Sequence, residues 1–506
     1  MAPIARKTNM KPVSKRIAIG LVLLACGFSV LLFCSLFLSV KNNESHDISQ
    51  SGENYGGIYK RYKGSVYAAV PSNGYYKIDI ADPDTFTLLP GATHSDHQVG
   101  KDKNHVYCGN RVIPGLDATH VRVLGNNYFS DGKQSAYCSY STTRNPELGK
   151  LEEALQIILH QWGYGTKPQS YLYPFALLPE SEVPYRPLPG ANLITDGTRA
   201  YYRGQLMEQA DPAALRPVMA PSRSGERPSS TYFTDGRNVY HHAARLALAG
   251  HRELQELNVS RLTSQTPYLY DPRSGAVYAA DLPFDSTHQP YYPLTRAEQH
   301  IYHLLFTSRD GLFYYDGQSG EVKRMGDNIF THGDTAATGD FTALSPYIFW
   351  DGQHLLYLQA SERWGSRRNP GLISRSTHIY QFMDELTGEW QKIGDVRGGV
   401  FGSLWQNGAS LWYFDLTGDT LTDSGPIYRI ADRETLALLQ PADIGTSVIR
   451  KLVRNGKLTP PAHRELLQAK TVYRKTSVAF HWLFYGLIVL AVVGNMVRLW
   501  GKMRKR

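Results

Sequence analysis

The chain reads as an all-β repeat domain held between two transmembrane helices, and three observations carry that reading. A short pattern opening on Asp and closing on Tyr recurs at intervals of roughly 30 to 65 residues, the sign of one supersecondary unit stacked many times. The composition, with 33 Tyr, 45 Gly and 28 Pro, suits aromatic strands joined by tight turns. An uncharged apolar run stands near each end.

The repeat is clearest at Asp102-Lys103-Asn104-His105-Val106-Tyr107 and at Asp131-Gly132-Lys133-Gln134-Ser135-Ala136-Tyr137. It returns at Asp196 to Tyr201 and Asp235 to Tyr240, more loosely at Asp271 to Tyr278 and Asp351 to Tyr357, and in degenerate form at Asp316. Aromatic or apolar residues precede each Asp, as in Tyr128-Phe129 and Tyr232-Phe233. Gly accepts positive φ and Asp can bond the main chain two residues on, so each copy predicts strand, turn, strand. The role expected of Asp102, Asp131, Asp196, Asp235, Asp271 and Asp351 is therefore structural. The alternative is an acidic ligand site in each repeat.

A second element lies upstream of some copies. Ile80-Ala81-Asp82-Pro83-Asp84-Thr85-Phe86 is matched near the far end by Ile430-Ala431-Asp432-Arg433-Glu434-Thr435-Leu436. Asp before Pro fits an N-cap followed by one helical turn, where the missing N–H costs nothing. The Asp-Lys-Asn-His-Val-Tyr run together with this Asp-Pro turn resembles the DKNYY repeat family of bacterial envelope proteins. The resemblance is tightest over residues 75–140 and is one of pattern alone beyond about residue 280, and most copies here carry Gly after the Asp where the family has Lys-Asn. It implies an envelope-facing repeat module and brings neither an activity nor catalytic residues.

Residues 17–40 form an apolar run long enough to cross about 30 Å of hydrocarbon, and residues 478–497 form a second. The first run exceeds the usual 7 to 15 residues of a signal-peptide core, so an uncleaved anchor is expected. Arg6, Lys7, Lys11, Lys15 and Arg16 precede one run; Arg498, Lys502, Arg504, Lys505 and Arg506 follow the other. Basic flanks stay cytoplasmic, which predicts both termini inside and the bulk outside; with the bacterial envelope that the resemblance implies, the chain is expected in the inner membrane with its bulk in the periplasm. Arg474 and Lys475, on the outer side of the second run, oppose this mildly. Of the +9 net charge the two ends carry +13, leaving −4 for residues 42–473, which argues against nucleic acid as a partner.

The expected organisation is a basic cytoplasmic segment (1–16), a span (17–40), a polar linker (41–54), the β-repeat domain (55–457), a juxtamembrane segment (458–477), a second span (478–497) and a basic tail (498–506). A helical insert over 146–163 is predicted from Asn145 as cap, Pro146 at the first position, and Leu148, Leu151, Leu155, Ile158, Leu159 and Trp162 on one face. That stripe is expected to cover a sheet edge, with partner binding as the alternative. The stretch 165–189 reads as a surface excursion, 220–230 and 363–376 as exposed loops, and 460–470 as a short helix. Leaving few open sheet edges favours a β-propeller with blades of about 40 to 45 residues, its closing blade drawing on both termini. An open β-solenoid or two smaller β domains are the rivals.

Cys108 and Cys138 each follow the closing Tyr of adjacent repeats. Matching places in an oxidising compartment predict a disulfide, with two buried thiols as the alternative; the loop of about 30 residues would contribute roughly 3 kcal/mol. No nucleophile elbow, phosphate loop or dinucleotide fingerprint is present, so no cofactor and no catalytic residue is assigned. His94 with His97, and Asp415 with Asp419 and Asp423, are weak metal candidates that lack a recognised ligand spacing. Tyr171, Tyr173, Tyr291, Tyr292 and Trp405 fall outside the repeat positions and are the candidates for a recognition surface. The function expected is a non-enzymatic envelope protein that binds another envelope protein, as a scaffold or as an immunity-type neutraliser of a protein toxin. A periplasmic enzyme acting on glycan or peptide is the alternative.

Overall fold

The computed structural model describes residues 44–89, 97–161, 164–222, 225–258, 266–296, 300–331, 341–367, 371–418 and 425–473. Among them the strands make nine small sheets. Most are antiparallel meanders of consecutive strands: residues 53–77, 87–113, 122–138 completed by Phe175–Leu177, 186–207, and 292–326. Residues 216–249 and 255–283 are two such meanders joined edge to edge by a parallel bridge between Met219 and Gln255. Residues 342–382 and 390–430 form the last two, each receiving one further strand from the C-terminal region.

Aromatic and β-branched residues make these strands, and the faces they bury hold successive sheets together. Val70, Val106, Phe129 and Tyr173 form one cluster across the first three sheets; Tyr137 with Tyr201, and Tyr202 with Phe233, continue the series. A larger core joins residues from 257 to 469. Cys108 and Cys138 lie in the first of these clusters and form a disulfide, with Cα atoms 5.7 Å apart, that ties the second sheet to the third.

The Asp turns explain why the repeat has its particular letters. In Asp131, Oδ1 accepts from the N–H groups of Lys133 and Gln134, both at 2.8 Å, which closes the hairpin. Its Oδ2 accepts from the N–H of Asp117, also at 2.8 Å, in the turn upstream. The same clasp joins Asp102 to Asp82 (3.0 Å) and Asp235 to Asp211 (3.2 Å). The two sequence elements are thus one hydrogen-bonded unit. Asp196 and Asp351 close their own hairpins in the same way, and Asp271 bonds the N–H of Arg273 and the His251 ring. Near the far end Asp432 caps a helix, α3 (Arg433–Leu439), through Thr435.

Several expectations are corrected. Part of the linker is ordered as a helix, α1 (Glu44–Ser51), anchored by buried Ile48. The helical insert, α2, runs over Lys150–Gln161; Leu151, Leu155 and Leu159 of its stripe face outwards and cover no sheet edge among the described residues, outside which Trp162 lies. Much of the predicted loops at 220–230 and 363–376 is strand, Arg216–Ser222 paired with Gly225–Thr234 and Leu355–Trp364 paired with Leu372–Phe382. The excursion over 165–189 contributes strands of its own, among them Phe175–Leu177, and buries Tyr173. The predicted helix at 460–470 is a strand, His463–Val472, because the long edge of Leu372–Phe382 offers a complete ladder from Ser374↔Val472 to Phe382↔His463. The C-terminal strands join the last two sheets, so among the described residues no sheet draws on both ends of the chain. Among the described residues no helix is long and apolar enough to cross a membrane; both predicted spans, 17–40 and 478–497, lie outside them.

Burial works against ionisation of Asp196, yet the N–H groups of Arg199 and Thr198 pull its carboxyl down to about 2. Asp102, Asp131 and Asp235 are lowered in the same sense, burial being outweighed by the N–H donors of their clasps. A folded-state pKa below the unfolded value of about 3.9 means that these groups stabilise the fold above that pH and lose the contribution as they protonate. Stability is therefore expected to fall between about pH 4 and pH 2. Asp131→Ala or Asp235→Ala should cost about 1 to 2 kcal/mol at neutral pH and flatten that acid limb, measured by urea unfolding across pH. Unchanged midpoints at neutral pH would show that the clasp is not structural.

Candidate functional site

Among the described residues, chemistry-bearing side chains converge away from any turn on the long ribbon of the sheet over residues 342–382. It consists of Leu355–Trp364, Leu372–Phe382 and His463–Val472, paired so that Ser361 lies opposite Ser376, His378 opposite Gln468, and Tyr380 opposite Glu465. Strands of ten and eleven residues outrun the neighbouring strand Ile348–Trp350, which pairs only as far as Tyr357. Beyond that point the ribbon projects with its two faces carrying different groups, as alternation along a strand requires.

On one face His378 sits at the centre. Its Nδ1 lies 2.9 Å from Oε2 of Glu465 and its Nε2 2.7 Å from Oγ of Ser361. A ring that donates from Nδ1 to the carboxylate leaves Nε2 to accept the serine proton, the order of groups that activates a hydroxyl nucleophile. Burial pushes the His378 pKa down against the opposing pull of Glu465, so the ring is neutral near pH 7. Tyr380 stacks on it at 5.2 Å and 11°. Acyl transfer also needs donors for a developing oxyanion. Ser361 stands mid-ladder, where alternate main-chain N–H groups point at the partner strand. The clefts of about 520 and 300 Å³, around Tyr278 and Phe284 and around Leu438 and Leu452, include neither Ser361 nor His378.

The other face carries Trp364, which is 60 % exposed at the end of its strand. Its indole Nε1 donates to Oε2 of Glu362 at 2.8 Å, and Oε1 of Glu362 accepts from Nε of Arg375 at 2.9 Å. The Arg375 guanidinium lies over the rings of Tyr302 (5.2 Å) and Tyr473 (5.7 Å). Burial opposes ionisation of Glu362, but Arg375 and Trp364 hold its carboxyl below the ordinary value. An exposed indole is thus held in one orientation by a charged chain rooted in two tyrosines.

The residues predicted from sequence are placed elsewhere. Tyr173, Tyr291 and Trp405 are buried and do not form a recognition surface: Tyr173 and Tyr291 lie just outside strands with their hydroxyls donating to the carbonyls of Ala69 and Asp285, and Trp405, within a strand, stacks on Phe414. Tyr171 lies at the exposed edge of a two-stranded sheet and Tyr292 is half-buried. Asp415 is buried and spends its oxygens on Tyr413, Thr417, Gly418 and His300, which leaves none for a metal. Asp419, Asp423 and His94 lie outside the described residues, and among those described no cluster of His, Cys, Asp and Glu could hold an ion. Ser361, His378, Glu465 and Trp364 were missed. The available signal was the alternation through Ser374-Arg375-Ser376-Thr377-His378, a strand pattern concealed by loop-like composition.

The family model for DKNYY matches residues 59–244, the part of the chain in which the Asp clasps are tightest. Over these residues the chain is similar to the DKNYY family. No curated protein and no solved structure matches the chain. The DKNYY segment includes the disulfide and the clasps of Asp102, Asp131 and Asp235, whereas the ribbon with Trp364 and His378 lies outside it.

Proposed function

We propose that this chain is a membrane-anchored, extracytoplasmic binding protein that engages another envelope protein, as a scaffold or as a neutraliser of an incoming toxin. The observation that carries the reading is the projecting ribbon with Trp364 fixed at its end. Indole and guanidinium groups dominate the energetics of protein recognition, and a side chain already held in place loses little entropy when it is covered. The basic flanks of the apolar runs at 17–40 and 478–497 support an inner-membrane anchor with the β domain in the periplasm. Trp364→Ala in the full chain, purified from native membranes, is expected to reduce the co-purifying partner at least tenfold while the melting temperature stays unchanged. Full retention of the partner would overturn the reading.

The order Ser361–His378–Glu465 favours a second reading, an enzyme that hydrolyses peptide or ester bonds. A fluorophosphonate probe would then label the wild-type chain at Ser361, with labelling abolished in Ser361→Ala and reduced in His378→Gln. An unlabelled wild-type chain removes this reading and leaves the first intact.

For the architecture we infer an open succession of sheets in place of the expected closed propeller. Among the described residues no core cluster joins the first sheet to the last, and the C-terminal strand adds to the sheet before the last. Small-angle scattering is expected to give an elongated or curved envelope, and a compact disc would restore the propeller.

A further inference from the structure

The helix α2 is docked back to front. At about 100° per residue Leu151, Leu155 and Leu159 fall on one stripe, and they are 83 %, 61 % and 49 % exposed. The opposite side meets the protein through polar groups: Glu153 pairs with Arg144 at 2.7 Å, and Nε2 of His160 lies 3.3 Å from a carboxylate oxygen of Glu44. A surface helix ordinarily buries its apolar stripe and shows water its charges. Beyond the helix, Tyr164 bonds its N–H to the carbonyl of Leu159 at 2.9 Å and is itself 66 % exposed, extending the apolar patch with the residue type that favours a membrane interface.

The contact with Glu44 says what covers this face. Glu44 is the fourth residue after Val40, the last of the first apolar run. Four residues reach at most about 14 Å, so the His160 end of α2 stands close to the point where the chain would leave the bilayer. Three leucines and a tyrosine offer a few hundred Å² at most, short of the roughly 800 Å² per partner of a stable protein interface, whereas such a stripe is sufficient for a helix lying in a lipid surface.

We propose that α2 lies flat on the outer leaflet of the membrane that anchors the chain, with Leu151, Leu155 and Leu159 among the acyl chains. The inference rests on the reading of residues 17–40 as an anchor. The test uses the full chain with Cys26→Ala and Cys34→Ala, a fluorophore on Leu155→Cys, and vesicles of phosphatidylethanolamine and phosphatidylglycerol. A nitroxide-bearing lipid is expected to quench this label several-fold more than one on Arg237→Cys, and aqueous iodide should do the reverse. Iodide access equal to that at Arg237 overturns the proposal. So does shielding from both quenchers, which with cross-links between two 155 positions would assign the face to a second copy. Alkaline carbonate extraction of the same vesicles separates the two layers of inference: release of the chain overturns the anchor and the proposal together, while retention with a water-exposed label overturns only the proposal. Leu159→Cys repeats the measurement should Leu155→Cys fold poorly.

Discussion

Main-chain groups in a turn that is pressed between two sheets cannot reach water, and the satisfaction of those groups is the constraint on which this fold depends. Buried tyrosines meet it between sheets. The hydroxyl of Tyr59 donates to the carbonyl of Gln98 at 2.6 Å, that of Tyr128 to Asn192 at 3.0 Å, and that of Tyr232 to Pro267 and Ala280, both at 2.9 Å. Each reaches from one meander into the next. Within a unit the Asp carboxylate does the corresponding work for N–H donors. Tyr107 unites the two devices, since its hydroxyl donates to Oδ2 of Asp102 at 2.6 Å. The aromatic is therefore required to be Tyr where Phe would pack equally well.

How much of this was legible followed the range of the interaction. The Asp-Gly turns and the Asp-Pro turn are local, and their residues announce them. The pairing of Cys108 with Cys138 was readable because a repeat makes distant positions equivalent. The function of Tyr173, Tyr291 and Trp405 was misread for the converse reason: they lie outside the repeat, so sequence offered no face assignment, and they proved to be core. The strand at His463–Val472 exists because Leu372–Phe382 leaves an edge for it, a cause more than eighty residues away that no local window contains. The same separation concealed Ser361, His378 and Glu465, which come together only through strand register.

The ribbon shows how a repetitive scaffold acquires individuality. Turn chemistry occupies the recurring Asp and Gly of the repeat pattern, and lengthening two strands frees side chains from that duty. Alternation then sorts them: His378 with its two partners on one surface, Trp364 and Arg375 on the other. The indole face and the polar relay can thus be altered independently, although they share the same three strands.

The last strand of the domain also sets how the molecule would bear tension. The chain leaves it at Tyr473, whose N–H still bonds the carbonyl of Ile373 at 2.9 Å, and continues towards the apolar run at 478–497. A pull directed along His463–Val472 loads the whole ladder against Leu372–Phe382 in shear, so its hydrogen bonds must fail together and not one after another. The strand that completes the ribbon is in this sense a mechanical clamp, made by register and length and not by any one strong contact.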